Sequence, residues 1–249
     1  MDAGEIMALK GEIISAKDVS SKDIDRMFVL MDEHFLSMDA SRFRKDLSEK
    51  DSVLILRHPE SGIVQGFSTS LSIDTVLDGQ QVRAVYSGDT IINKEFWGEK
   101  TLGVLWLRHV LRIQREVPEK KVYWFLISMG YKTYRLMRLF FKQYWPRYDE
   151  STPLFERKLM DHLAQMKFAS NYCPKTGIIS FEGKREKLRC GIADVDESRR
   201  KDRDISFFVK ANPRWQQGDE LVCLAEIHPD NLRPRMWRIF KLDREDGAS

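Results

Sequence analysis

Apolar residues recur along this chain at two spacings, and the places where one gives way to the other mark out its elements. Residues 12–16, EIISA, carry a thin strand signal. Ser20 and Ser21 then offer helix caps. Ile24, Met27, Phe28, Met31 and Phe35 follow at three- and four-residue steps, the stripe of a helix with one buried face. A second, shorter helix is predicted over 39–48. The compact run SVLILR, 52–57, reads as a strand closed by the turn cluster His58-Pro59-Glu60-Ser61-Gly62. A long strand with partial alternation covers 63–76, Asp78-Gly79 turns it back, and 81–93 returns as its antiparallel partner. These three strands make a meander. The pattern then changes to helix, strand, helix up to Pro146, which brings a parallel or crossing strand into the same sheet.

Beyond Pro146 the periodicity weakens. Residues 154–168 read as a helix, and 178–181, 205–209 and 220–227 as short strands. Between them SRRKDRD, 198–204, reads as a charged loop, and Asn212-Pro213 and Gln217-Gly218-Asp219 signal turns. No Gly/Ser- or Pro-rich linker separates the two parts. The expectation is a core over 1–150 and a β-rich extension over 151–249 packed on it.

Composition narrows the class. With 42% hydrophobic and 32% charged residues, this is a globular chain and not a disordered one. Forty-one basic against thirty-eight acidic residues leave +3, too little to imply nucleic acid. MDAGEIMALKGEI lacks the basic and apolar regions of a signal peptide, and the longest apolar run, 122–129, is too short to span a bilayer. Cys173, Cys190 and Cys223 are odd in number and widely spaced, which fits neither a disulfide framework nor a zinc site; a cytoplasmic setting is expected. The histidines have no metal-ligand spacing, and His109, among Leu105, Leu107, Val110 and Leu111, reads as structural.

The candidate chemistry gathers in residues 81–146. A strand feeds the turn Trp97-Gly98-Glu99-Lys100-Thr101-Leu102-Gly103, which opens a helix, and a helix start has unpaired N–H groups and a partial positive charge suited to phosphate. The element order and the window Lys100-Thr101-Leu102-Gly103-Val104-Leu105 resemble the GNAT acyltransferase superfamily over about residues 12–150. Lys100 and Gly103 fit that family's phosphate motif, whereas Leu105 stands where it places a small residue; alternatively Trp97-Gly98 replaces its usual Arg-Gly.

The resemblance implies an α/β fold of the α+β kind. It has a central mixed, mostly antiparallel sheet flanked by helices, here with the β-rich extension. It also implies an N-acyltransferase that moves an acyl group from acyl-coenzyme A or acyl carrier protein to an amine by direct transfer, without a metal. Trp97, Gly98, Lys100, Thr101, Leu102 and Gly103 would hold the donor's pyrophosphate. The strand end Ile91, Ile92 and Asn93 would meet the thioester, through the N–H of Ile91 or Ile92.

Acyl transfer needs a base, oxyanion donors and an acid for the leaving thiolate. Asp89, four residues before Asn93, is the candidate base; a sheet-edge aspartate held by backbone donors is the other reading. The family's tyrosine on the last core helix is absent, since Leu139, Phe140 and Phe141 fill its place. Tyr131 or Tyr134 near the start of that helix, or Ser128, is the candidate acid; both tyrosines also suit packing at the sheet's end. The aromatics around the turn would suit an acyl chain longer than acetyl. The local basic excess would suit coenzyme A's phosphates or an acidic carrier protein. The acceptor, an amine-bearing small molecule, peptide or protein, is not written in the sequence, and the extension could line its cleft or form a homodimer contact. A catalytically silent ligand- or partner-binding module is the alternative.

Overall fold

The computed structural model describes residues 8–181 and 186–239. Their order is β1 (Lys10–Ser15), α1 (Ser21–His34), β2 (Phe35–Leu36), α2 (Ala40–Ser48), β3 (Ser52–Arg57), β4 (Val64–Leu77), β5 (Gln80–Ile92), α3 (Thr101–Glu116), β6 (Lys121–Ser128) and α4 (Tyr131–Phe140). There follow α5 (Leu154–Phe168), β7 (Tyr172–Cys173), β8 (Ile178–Ile179), β9 (Lys187–Leu188), α6 (Glu197–Arg200), α7 (Arg203–Ala211), β10 (Glu220–Glu226) and α8 (Pro234–Ile239).

Eight strands form one sheet in the order β1-β3-β4-β5-β6-β10-β8-β7. Only β5 and β6 run parallel; the other neighbours are antiparallel. The meander expected from 52–93 is present, and its β4–β5 hairpin turns at Asp78 and Gly79, both with positive φ. This is the GNAT-like mixed sheet that the element order implied.

Alternation sends successive strand residues to opposite faces. On one face Leu54, Leu56, Val85, Trp124 and Leu126 pack under α3, α4 and α7. On the other, Val82, Tyr86, Phe125 and Val222 pack under α5, and Val53, Ile55, Phe67 and Ile91 under α1 and α2. The α1 stripe forms as its spacing requires, capped by the Ser20 hydroxyl, which accepts from the Asp23 N–H at 3.2 Å.

Residues 151–249 correct two expectations and place one strand. Residues 205–209 are not a strand but belong to α7. Asp202 caps it by accepting from the N–H groups of Asp204 and Ile205, and Ile205 and Phe208, three apart, turn one buried face inward. Residues 198–200 of the expected charged loop belong to the short helix α6, capped by Asp196. The last expected strand is present as β10, and it lies inside the sheet between β6 and β8.

Candidate active site

The register of β5 against its two neighbours makes the site. β5 pairs with β6 from Val82–Lys121 to Ser87–Leu126 and no further. Past that level β5 stays with β4 as far as Gly66–Ile92, while β6 stays with β10 through Ser128–Leu221. The two parallel strands therefore part after Ser87 and Leu126. At the parting β5 bulges: Ser68 pairs with Thr90 and Ser70 with Ser87, so Gly88 and Asp89 face Thr69 alone.

Gly88 is required there. A Cβ on it would come 2.4 Å from Thr69 Oγ1 and 2.9 Å from Lys50 Cε. The bulge delivers Asp89 to the face covered by α2, where its carboxyl is only partly open to water. No hydrogen bond holds it among the described residues. Burial first, and then the nearby Asp46 carboxylate, push its pKa up to about 7, against the pull of Lys50; Glu220 and Glu186 add to the rise. Lys50 has a fully buried side chain, and its ammonium bonds both the carboxylate and the carbonyl of Asp46.

The strand end beyond Asp89 has a defined sense. The Asn93 N–H donates to the Gln65 carbonyl at 2.8 Å. In an antiparallel ladder the next residue back, Ile92, then turns its N–H and C=O away from β4, towards the gap that β6 leaves. The Ile92 carbonyl is indeed taken by the Trp97 indole N–H at 3.0 Å. Ile91 points its backbone groups to β4 and its side chain into the core. Asn93 caps the 3-10 turn Lys94–Phe96 and bonds the Gln65 side chain at 2.8 Å.

The turn before α3 is built by Gly98, with φ of 98°, a conformation that favours glycine. Trp97 and Gly98 are exposed, and Lys100 occupies the cap position of α3 without a side-chain cap bond. The Thr101 N–H and hydroxyl are taken by the Glu99 carboxylate, the N–H at 2.8 Å. The N–H groups of Leu102 and Gly103 have no partner among the described residues, as a helix start leaves them. Lys132, in the first turn of α4, sets its ammonium 3.8 Å from the Trp97 ring centroid, so the two helix starts meet at Trp97. Burial, Arg199 and Lys94 hold the Lys132 pKa below the ordinary lysine value.

The candidate acids differ in their fate. Tyr134 is buried, packs on the Phe207 and Phe208 rings of α7, and donates its hydroxyl to the Pro146 carbonyl at 2.9 Å. Ser128 donates to the Gly130 carbonyl at 2.8 Å. Tyr131 opens α4 and is buried as well, but its hydroxyl makes no hydrogen bond among the described residues. His109 is structural, held 3.1 Å from the Ser70 hydroxyl, with burial pushing its pKa down to about 4.

The fold thus gathers Asp89, the Ile92 backbone, the α3 turn and the start of α4 around the parted strands. Sequence reading missed Lys50, Thr69, Lys94, Lys132 and Lys167. Nothing in the sequence marks them, because an isolated lysine or threonine on an amphipathic segment ordinarily faces water. Among the described residues no His, Cys, Asp and Glu group could hold a metal, and no helix is long and apolar enough to cross a membrane.

No family model and no curated protein matches this chain. Solved structures of similar shape include a conserved protein of unknown function from Enterococcus faecalis V583, at 12% identity and TM-score 0.39, with 66% of this chain and 45% of that one covered. A GCN5-related N-acetyltransferase from Kribbella flavida is similar at 14% identity and TM-score 0.38, covering 52% of this chain and 33% of that one. Arabidopsis thaliana NAA60 in complex with a bisubstrate analogue is similar at 13% identity and TM-score 0.40, covering 56% and 91%. The chain spans less than half the length of the first two. These likenesses concern shape alone, and the GNAT-like fold stands on the strand order and on the parting of β5 from β6.

Proposed function

We propose that this chain is an N-acyltransferase that moves an acyl group from a thioester, acyl-coenzyme A or acyl carrier protein, directly to an amine. The observation that carries the reading is Asp89: a carboxyl set by a bulge beside the parted strands, without a hydrogen bond among the described residues, its pKa pushed up to about 7. Such a group accepts a proton from an ammonium and releases it to water at the same pH.

In this reading the donor enters between β5 and β6. Its phosphates lie on the α3 turn, where the Leu102 and Gly103 N–H groups, Lys100, Lys94 and Lys132 supply positive charge. The Asp89 carboxylate takes one proton from the acceptor ammonium. The freed lone pair attacks the thioester carbonyl carbon, the C–N bond forms, and the oxyanion is held by the outward Ile92 N–H. The C–S bond then breaks, the nitrogen loses its second proton, and the thiolate takes a proton from the Tyr131 hydroxyl, which regains one from water. Ammonium and thioester become amide, thiol and one proton. Tyr131 serves here rather than Tyr134 because the Tyr134 hydroxyl is spent on Pro146.

The deciding measurement is a calorimetric titration with acetyl- and long-chain acyl-coenzyme A and with acyl carrier protein. Binding of one of them, with release of thiol on adding an amine, is expected; no binding of any would sink the reading. Binding without turnover over a broad amine panel would instead favour the silent module. One observation leans that way, since the Glu99 carboxylate lies on the first N–H of α3, where a donor phosphate is expected.

A further inference from the structure

On the face that carries Asp89, two ammonium groups approach the Tyr86 ring: Lys50 at 5.8 Å and Lys167 at 4.8 Å from its centroid. They are not equivalent. Lys50 is ion-paired with Asp46. Lys167, in the last turn of α5, makes no ion pair or hydrogen bond among the described residues and lies half-buried against Tyr86 and Phe168. Burial and the Lys50 charge hold its pKa below the ordinary lysine value; Asp46 and Glu49 attract it without reaching it. A cation partly withdrawn from water, beside a second cation, is an unfavourable arrangement that an anionic ligand group would relieve.

A second, independent feature marks the same face. Thr69 Oγ1 belongs to a residue only 1% exposed and has no hydrogen-bond partner among the described residues. It lies 2.4 Å from where a Gly88 Cβ would stand, so it faces the bulge that delivers Asp89. A buried hydroxyl without a partner is uncommon in a folded protein, and it offers a ligand both a donor and an acceptor.

We propose that the acceptor is an amino acid, an amine that also carries a carboxylate, with its ammonium at Asp89 and its carboxylate at Lys167. The inference rests on the transferase reading above. Tyr86 and Asp89 are three residues apart on β5, roughly 10 Å along an extended strand, and the long lysine stem shortens that gap. The carboxylate takes no part in the bonds that form and break; it orients the amine and selects the substrate.

The test is steady-state acylation by the full chain with a fixed acyl-coenzyme A. The acceptors are glycine, β-alanine, 4-aminobutyrate and 6-aminohexanoate, each beside its methyl ester, together with phosphoethanolamine. At least one acid should exceed its ester by about tenfold in kcat/KM, the scale of one charge-assisted contact. Lys167→Met should bring that ratio to near one through a higher KM for the acid, and Lys167→Arg should keep the preference. Equal use of acids and esters, an unchanged ratio in Lys167→Met, or a preference for phosphoethanolamine would overturn the inference and leave the transferase reading intact. If no amine is acylated, the transferase reading fails. Calorimetry with the same amino acids then decides separately: binding that Lys167→Met removes sustains the site, and no binding overturns it.

Discussion

Burial, with the Asp46 carboxylate nearby, moves Asp89 from its ordinary 3.8 to about 7, so the folded chain holds that proton more tightly than the unfolded chain does. The sign follows from this. Stability is greatest where both states are protonated, falls as pH rises from about 4 to about 7, and stays lower above that. Asp89→Asn, which cannot ionise, should be more stable than the wild type at pH 8 by roughly 1–3 kcal/mol, less than the full shift implies because the carboxyl partly meets water. At pH 4 the two should match; urea midpoints at both values check it, and equal midpoints at pH 8 would refute the burial argument. The same variant should lose about 100-fold or more in turnover, along with the inflection near pH 7 in its rate profile. One residue earlier, Gly88→Ala would push a methyl into Thr69 and Lys50 and should destabilise by about 1–3 kcal/mol, read by thermal or urea unfolding.

At the scale of elements, two helices carry expectations of opposite kind. The α3 start is capped by Glu99, an anion on the N–H that the proposed donor phosphate needs. Glu99→Ala should therefore weaken the helix by about 0.5–1 kcal/mol yet tighten coenzyme A binding roughly threefold to tenfold, seen by calorimetry. Weaker binding would mean that Glu99 supports the ligand rather than competing with it. Helix α7 docks on α4 through Asp204, which is fully buried and bonds both Arg138 and the Tyr144 hydroxyl, the latter at 2.9 Å. Asp204→Ala strands the Tyr144 hydroxyl and sends Arg138 back to water. A loss of about 2–4 kcal/mol is expected in denaturant unfolding.

For the whole molecule, the position of β10 decides what can stand alone. The stretches 1–150 and 151–249 share one sheet, because β10 hydrogen-bonds β6 along residues 221–226 and buries Leu221, Val222, Cys223, Leu224 and Ala225. A chain ending at residue 150 would leave β6 as a bare, apolar edge strand and strip α4 of α7. It should show no cooperative unfolding and little amide dispersion by NMR. A cooperatively folded 1–150 would make the rest an accessory.

The local elements were legible because their signals are carried by neighbours in sequence. The Ser20 cap, the α1 stripe, SVLILR, the Asp78-Gly79 turn and the 154–168 helix each need only a few residues to declare themselves. Residues 205–209 misled because five apolar-rich positions fit either period, and the Asp202 cap and the α4 face settled it. Within the site, Asp89 and the α3 turn were expectations that the family resemblance attached to their places around a strand-to-helix switch. The choice between Tyr131 and Tyr134 was not legible. A helix presents both near one end and both are buried, so what separates them is the Pro146 carbonyl and the α7 rings that folding brings to Tyr134. Nor were Lys50, Thr69 and Lys167, which come to the face of Tyr86 and Asp89 from just past the end of α2, from β4 and from α5. The sequence by itself determined the main elements up to Pro146, their order and the strand that bears the candidate base. Tertiary structure alone decided which charges lose their water and which hydroxyls keep a partner, because burial and charge pairing depend on groups that only folding brings together.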